Sequence, residues 1–359
     1  MANRDPRVGE EGLYVRVPLA ALVGMCAAVF AYAAGPMSAP TRLTDGLSAH
    51  SRPAWSPDGQ WVAYVTSGSW GDAVCVARPS DGLTQAVTGG LDGSVVGRPQ
   101  WLVEPFRVAW VTERGQVGSL DLAGEVITAS LSLPSEPRGL APLNDGHAVA
   151  VSTRSSVVKL PGDLVGAATP LAIGSVNSDI TSIEAAPGGN GLVLVDAGSV
   201  VLWRPGAEAR VLLSPGPEVA EWRAVSTATG CESAIVIART RTARAPDRIC
   251  ALDLGSGSVT VVCRSAAAVS EAVPVPGTDG VAAIIGGRLT FVPRPGATAV
   301  TGPTGRGVDA GPAVSPDGAL VAFSSAGRDD TDLDGRVDAG DPPNLYLARL
   351  RTDEGGPAG

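Results

Sequence analysis

One short unit is written twice, near the two ends of the chain. Pro53-Ala54-Trp55-Ser56-Pro57-Asp58-Gly59 leads into Gln60-Trp61-Val62-Ala63-Tyr64-Val65, and Pro312-Ala313-Val314-Ser315-Pro316-Asp317-Gly318 leads into Ala319-Leu320-Val321-Ala322-Phe323-Ser324. Each copy reads as a strand, a turn in which Pro presets the backbone and Gly takes a positive dihedral, and a second apolar strand. Weaker copies start near Arg98, Arg138, Ser182, Glu221 and Glu271, and each continues with two further strand-like runs. Four antiparallel strands in a period of about 45 residues is the arithmetic of a propeller blade. Seven copies predict an all-β, seven-bladed β-propeller.

The last copy has only three strands of its own before the polar tail at 351–359. Thr41-Arg42-Leu43-Thr44-Asp45-Gly46 resembles the fourth-strand endings Gln85 to Gly89 and Thr298 to Gly302, so this N-terminal strand is expected to close the ring. The propeller is placed at 41–350, after a linker at 36–40. Trp55, Trp101 and Trp222 recur at equivalent first-strand positions, which points to packing between blades.

Residues 1–35 read as a targeting segment. Arg4, Arg7 and Arg16 precede an uncharged apolar run from Val17 to Ala34. That asymmetry places the remainder across a membrane, with the run serving as a membrane anchor or as a signal peptide cleaved near Ala31-Tyr32-Ala33. An exported, periplasmic or extracytoplasmic protein is expected. Composition agrees with a turn-rich β protein: 46 Gly, 29 Pro and only 18% charged residues. A net charge of −9 argues against nucleic acid as a partner.

The Ser-Pro-Asp-Gly units at Ser56 to Gly59 and Ser315 to Gly318, each preceded by Pro-Ala and followed by an apolar strand, resemble the TolB-type, WD-like propeller repeat. The resemblance implies an exported bacterial propeller that serves as a binding or assembly module. The same repeat forms the gating propeller of prolyl-oligopeptidase-like enzymes.

One segment carries ion chemistry. Asp330, Asp332, Asp334, Asp338 and Asp341 occupy positions 1, 3, 5, 9 and 12 of a loop with Gly335 at position 6. This is the EF-hand calcium pattern, in which alternating carboxylates converge as the chain curls and position 7, Arg336, offers only its carbonyl. Asp341 stands where that pattern has Glu. A structural Ca2+ is expected to order the hairpin before Asn344 to Leu350.

Cys250 and Cys263 flank the hairpin tip Ser256-Gly257, and pairing Leu254 with Val259 sets them opposite one another, a candidate disulfide suited to an oxidising compartment. Catalytic patterns are missing. There is no Gly-x-Ser-x-Gly elbow or phosphate loop, and the only histidines, His50 and His147, fall near turns. The sequence therefore predicts a noncatalytic, monomeric envelope module that binds a protein or polysaccharide. The alternative is a propeller hydrolase or lyase acting on glycans, which requires two convergent acids, or a His and an acid, at the channel mouth.

Overall fold

Seven four-stranded antiparallel sheets, each of consecutive strands except the last, make up the computed structural model. It describes residues 37–350 except 46, 104–105, 132, 134, 144–147, 165–166, 174–178, 188–189, 228–232, 243–244, 303–306, 330–335 and 338–340. The inner strands of blades 1 to 7 are Ala49–Trp55, Gln100–Leu102, Pro137–Leu143, Ile180–Ala185, Val219–Ser226, Val269–Pro274 and Val308–Val314. Each touches the inner strands of both neighbours, and blade 7 meets blade 1, so the ring closes. The chain is a seven-bladed β-propeller.

Sequence pattern explains the layering of each blade. Second strands such as Arg107–Val111 and Leu192–Asp196 are buried along their whole length, because blades cover both faces, and their sequences run almost continuously apolar. Outermost strands such as Val126–Ser130 alternate exposed and half-buried positions. The described residues form seven apolar clusters, one between each pair of adjacent blades.

The two Ser-Pro-Asp-Gly turns have one geometry. In blade 1, the Gly59 N–H donates to the Ser56 carbonyl, the Trp61 N–H donates to Ser56 Oγ at 3.0 Å, and Gly59 has φ +70°. In blade 7, Gly318, Ser315 and Leu320 repeat these bonds, with φ +72° at Gly318. The Ser315 hydroxyl also holds the Asp317 carboxyl below its ordinary pKa.

Blade 7 is completed by the N-terminal strand, with Thr41 opposite Leu347 and Arg42 opposite Tyr346. Closure starts earlier than the sequence implied. Met37 pairs with Leu350, and the Ser38 N–H donates to the Arg349 carbonyl at 2.9 Å, so contact with the last strand begins ahead of the strand Thr41–Arg42. The buried thioether of Met37 anchors this start between blades 6 and 7. The apolar run 17–34 lies outside the described residues, among which no helix is long and apolar enough to cross a membrane.

Two details of register correct the sequence reading. Trp55 pairs with Val62 and Trp101 with Val108, and each indole N–H donates at 3.0 Å to a carbonyl of the preceding blade, Ala313 and Ala54 respectively. Trp222 is not their equivalent. It pairs with Ala238, upstream of a register break, and bonds Ser214 within the strand connection. Cys250 and Cys263 do not face one another either. A bulge puts Cys250 opposite Val261 and Cys263 opposite Ile249, so one thiol packs between blades 4 and 5 and the other between blades 5 and 6. Both are free, and burial pushes the Cys250 thiol up to about 11.

Candidate functional site in the channel

Every inner strand breaks register with its partner. Blade 2 shows this as a gap, since Val95 pairs with Thr112 and Gln100 with Ala109, leaving the inner side longer. Such breaks bend a strand and re-aim the side chains it carries. Beyond the break, the seven strands run in matching register. Ala54, Gln100, Pro142, Glu184, Ser226, Val273 and Ala313 pair with equivalent second-strand residues and stand as one ring around the channel.

That ring girdles a cavity of about 210 Å3, at the ends of the inner strands that lead into the Ser-Pro-Asp-Gly turns. Trp55, Trp101, Thr227 and Pro274 lie one residue further along and line it too. The volume is below that of a pocket for a drug-sized ligand and suits one ring-sized unit of a longer molecule.

Glu184 carries the only charge in the ring. It lines the cavity, and burial raises its carboxyl to about 7, with the opposing charge of Arg98 offsetting part of the rise. Arg98 reaches the same space from blade 2. Its guanidinium spans the channel, donating from Nη2 to the Pro312 carbonyl of blade 7 at 2.9 Å, with Glu271 Oε2 of blade 6 at 3.8 Å. Glu271 is itself fixed by the Gly311 N–H, which donates to Oε1 at 3.0 Å. An acid that titrates near neutral pH, next to a fixed cation in a walled space, can exchange a proton with a bound molecule and hold its negative charge.

The residues expected from sequence fall elsewhere. Asp330, Asp332, Asp334 and Asp338 of the acidic loop lie outside the described residues, Arg336 is exposed, and Asp341 is buried at 2% exposure. Among the described residues no group of three His, Cys, Asp or Glu side chains is placed to hold a metal. His147 is also outside the described residues, and His50 is buried in the seam between blades 7 and 1, away from the cavity lining. Sequence reasoning missed Glu184 and Arg98. Aligning the seven copies residue by residue on their second strands would have exposed Glu184 as the single charge at its position.

No protein-family model matches this sequence, and no curated relative does. Solved structures share its fold. An oligogalacturonate lyase in complex with manganese superposes with a TM-score of 0.65 at 12% identity, covering 88% of this chain and 97% of its own. An oligogalacturonate lyase from Vibrio parahaemolyticus gives 0.64 at 8%, covering 87% and 97%. A streptogramin B lyase gives 0.62 at 12%, covering 87% and 97%. At such identities the likeness is one of fold.

These findings correct the noncatalytic expectation. It rested on the absence of any catalytic pattern in the sequence, whereas the channel brings the Glu184 carboxyl of blade 4 and the Arg98 guanidinium of blade 2 into one cavity, and the solved propellers of like fold are lyases.

Proposed function

We propose that the chain is a propeller lyase that cleaves a carboxylate-bearing glycan by elimination inside the channel. The observation that carries this reading is Glu184, a carboxyl held at about 7 in the cavity across from Arg98. As the base, Glu184 removes the proton on the carbon next to the substrate carboxylate. The C–H pair becomes the C=C bond, the glycosidic C–O bond breaks at the next carbon, and the proton returns from Glu184 to the departing oxygen. Arg98 stabilises the charge that builds on the substrate carboxylate as the proton leaves. The fold likeness to two oligogalacturonate lyases supports the elimination chemistry and the acidic glycan.

Elimination leaves an unsaturated product that absorbs in the ultraviolet, so a panel of acidic glycans can be screened directly. Glu184→Gln is expected to lower kcat by roughly 100-fold or more, and the acid limb of the wild-type profile to rise through pH ~7. A Glu184→Gln protein as active as wild type would sink the reading.

The manganese in one oligogalacturonate lyase of like fold raises the matter of a divalent cation. The cavity girdle does not fit one, since Glu184 is the only carboxylate among Ala54, Gln100, Pro142, Ser226, Val273 and Ala313, and no step above is routed through a metal. The loop 330–341 is the proposed cation site, with Ca2+ in a structural role. Its spacing and the burial of Asp341 support this. Melting in calcium, in manganese and with a chelator tests it, and equal transitions in all three would remove it. The apolar run 17–34 and the TolB-like repeats support an exported protein.

A further inference from the structure

The register breaks of the inner strands are chemically unequal around the ring. In blades 4, 6 and 7 the extra residues are Thr181, Ser270 and the pair Gly311-Pro312. In blades 1 to 3 they include an arginine each: Arg52, Arg98 and Arg138. Blade 5 also has one, Arg223, but Glu221 answers it at 3.5 Å.

The three arginines are contiguous. The Arg52 guanidinium reaches forward one blade and donates to the Val95 carbonyl, three residues before Arg98. Gly97 and Gly139, the neighbours of Arg98 and Arg138, pack so closely that a Cβ on Gly97 would stand 3.7 Å from the Gly139 Cα. Arg52 holds its position with φ +55°, a conformation uncommon for a side-chain-bearing residue. Arg52 and Arg138 are exposed, and among the described residues neither has a carboxylate partner. In a chain of net charge −9 most described arginines elsewhere are answered by an acid, as with Arg107 and Glu125 or Arg248 and Glu218.

We propose that Arg52, Arg98 and Arg138 form an arc that binds successive acidic groups of a linear polysaccharide, so that the ligand is an oligomer and not a single acid. Guanidinium groups suit carboxylate or sulfate, which they bind through paired N–H donors. The spacing along consecutive blades provides more than one such contact while the cavity admits one unit. The substrate role of the arc rests on the lyase reading. Its binding role does not.

The test uses Glu184→Gln protein, so that bound oligomers survive, and titrates galacturonate, tetragalacturonate, a heparin tetrasaccharide and neutral maltotetraose by calorimetry. One of the two acidic tetramers is expected to bind at least roughly tenfold more tightly than the monomer, with maltotetraose weakest. Arg52→Gln and Arg138→Gln, both at exposed positions, are expected each to weaken that tetramer by roughly tenfold and to flatten its salt dependence, with the monomer little changed and the melting temperature unaltered. Retention of wild-type tetramer affinity in the Arg52→Gln, Arg138→Gln double variant overturns the proposal, as does equal binding of maltotetraose or failure of both acidic tetramers to bind. If the acidic tetramer binds in an arginine-dependent way but wild-type protein never cleaves it, the arc stands and the lyase reading falls. Cleavage with a KM indifferent to both substitutions is the reverse result.

Discussion

Between blades 1 and 2 the interface is filled by eleven buried apolar residues, Trp101 and Trp110 among them. Between blades 7 and 1, where the chain closes on itself, there are seven. The closing seam is also more polar. His50 is buried there at 7% exposure, edge-on to Tyr64, with neither ring nitrogen in hydrogen-bonding geometry. Thr44 and Asn344 are buried beside it, 3.2 Å apart, and the Leu345 N–H donates to Thr44 Oγ1 at 3.0 Å. An interface built by consecutive blades is held by covalent continuity as well as by packing. The seam joins residues some three hundred positions apart and depends on backbone bonds from Ser38 to Leu43 and on the Thr44 hydroxyl. The ring is expected to open there first.

Removing residues 37–44 breaks this comparison most severely. The loss combines burial of Met37 and Leu43, at roughly 1.5–3 kcal/mol each, with several ladder bonds at about 1 kcal/mol each, which approaches the whole stability of a typical domain. No cooperative melting transition is expected, and a peptide of residues 37–45 added in trans should restore part of it. Unchanged melting in the truncated protein would show that the seam does not hold the ring.

The apolar interface can be damaged without touching the seam. Trp110 is fully buried between blades 1 and 2, so Trp110→Ala is expected to cost about 3–5 kcal/mol in denaturant unfolding. Gly118 lies against the same indole, and a Cβ there would clash with its Cζ2, Cε2 and Cη2 atoms. Gly118→Ala is expected to cost about 1–3 kcal/mol by overpacking. A neutral result for either would mean that this interface is looser than its burial implies.

The smallest effect sharpens the comparison by pH. Burial holds the His50 imidazole below its ordinary value of 6.5, so protonation favours the unfolded chain. Its contribution is complete above 6.5 and is lost as pH falls through that value toward the lower folded one. Melting temperature should decline over that window, and His50→Phe should flatten the decline. The backbone of Asp45 opposes the shift, and of the charged groups facing His50, Arg42 also disfavours the charged imidazole while the Asp45 carboxylate favours it.

Glu184 has the opposite sign. Its carboxyl titrates at about 7 in the fold, above the ordinary carboxylate value of 4.5, so burying it stabilises fully below 4.5 and the advantage is lost as pH rises to 7. Glu184→Gln should therefore melt higher than wild type at pH 8 while losing activity. A variant that loses both would place Glu184 in a structural role.

The blades were legible because each is local. Apolar second strands such as Val62 to Val65 and Leu192 to Val195, and turns such as Ser56 to Gly59, declare themselves within a few residues. The closing strand was legible through its likeness to other fourth strands, though Met37 was not, because a lone apolar residue after a proline carries no strand signal. The cysteine pair was misplaced by a single bulge between Ile249 and Cys250, and bulges leave little trace in composition.

Local propensity and repetition in the sequence determined the number of blades, their order and the chain that completes the last one. Only the tertiary structure decided what stands in the channel. Arg98 and Glu184 belong to different repeats with no common spacing, and Arg98 meets Glu271 and Pro312 only because the ring turns the seven inner strands toward one axis. Burial, which moves the Glu184 carboxyl into the neutral range, is a property of that enclosure and of no segment alone.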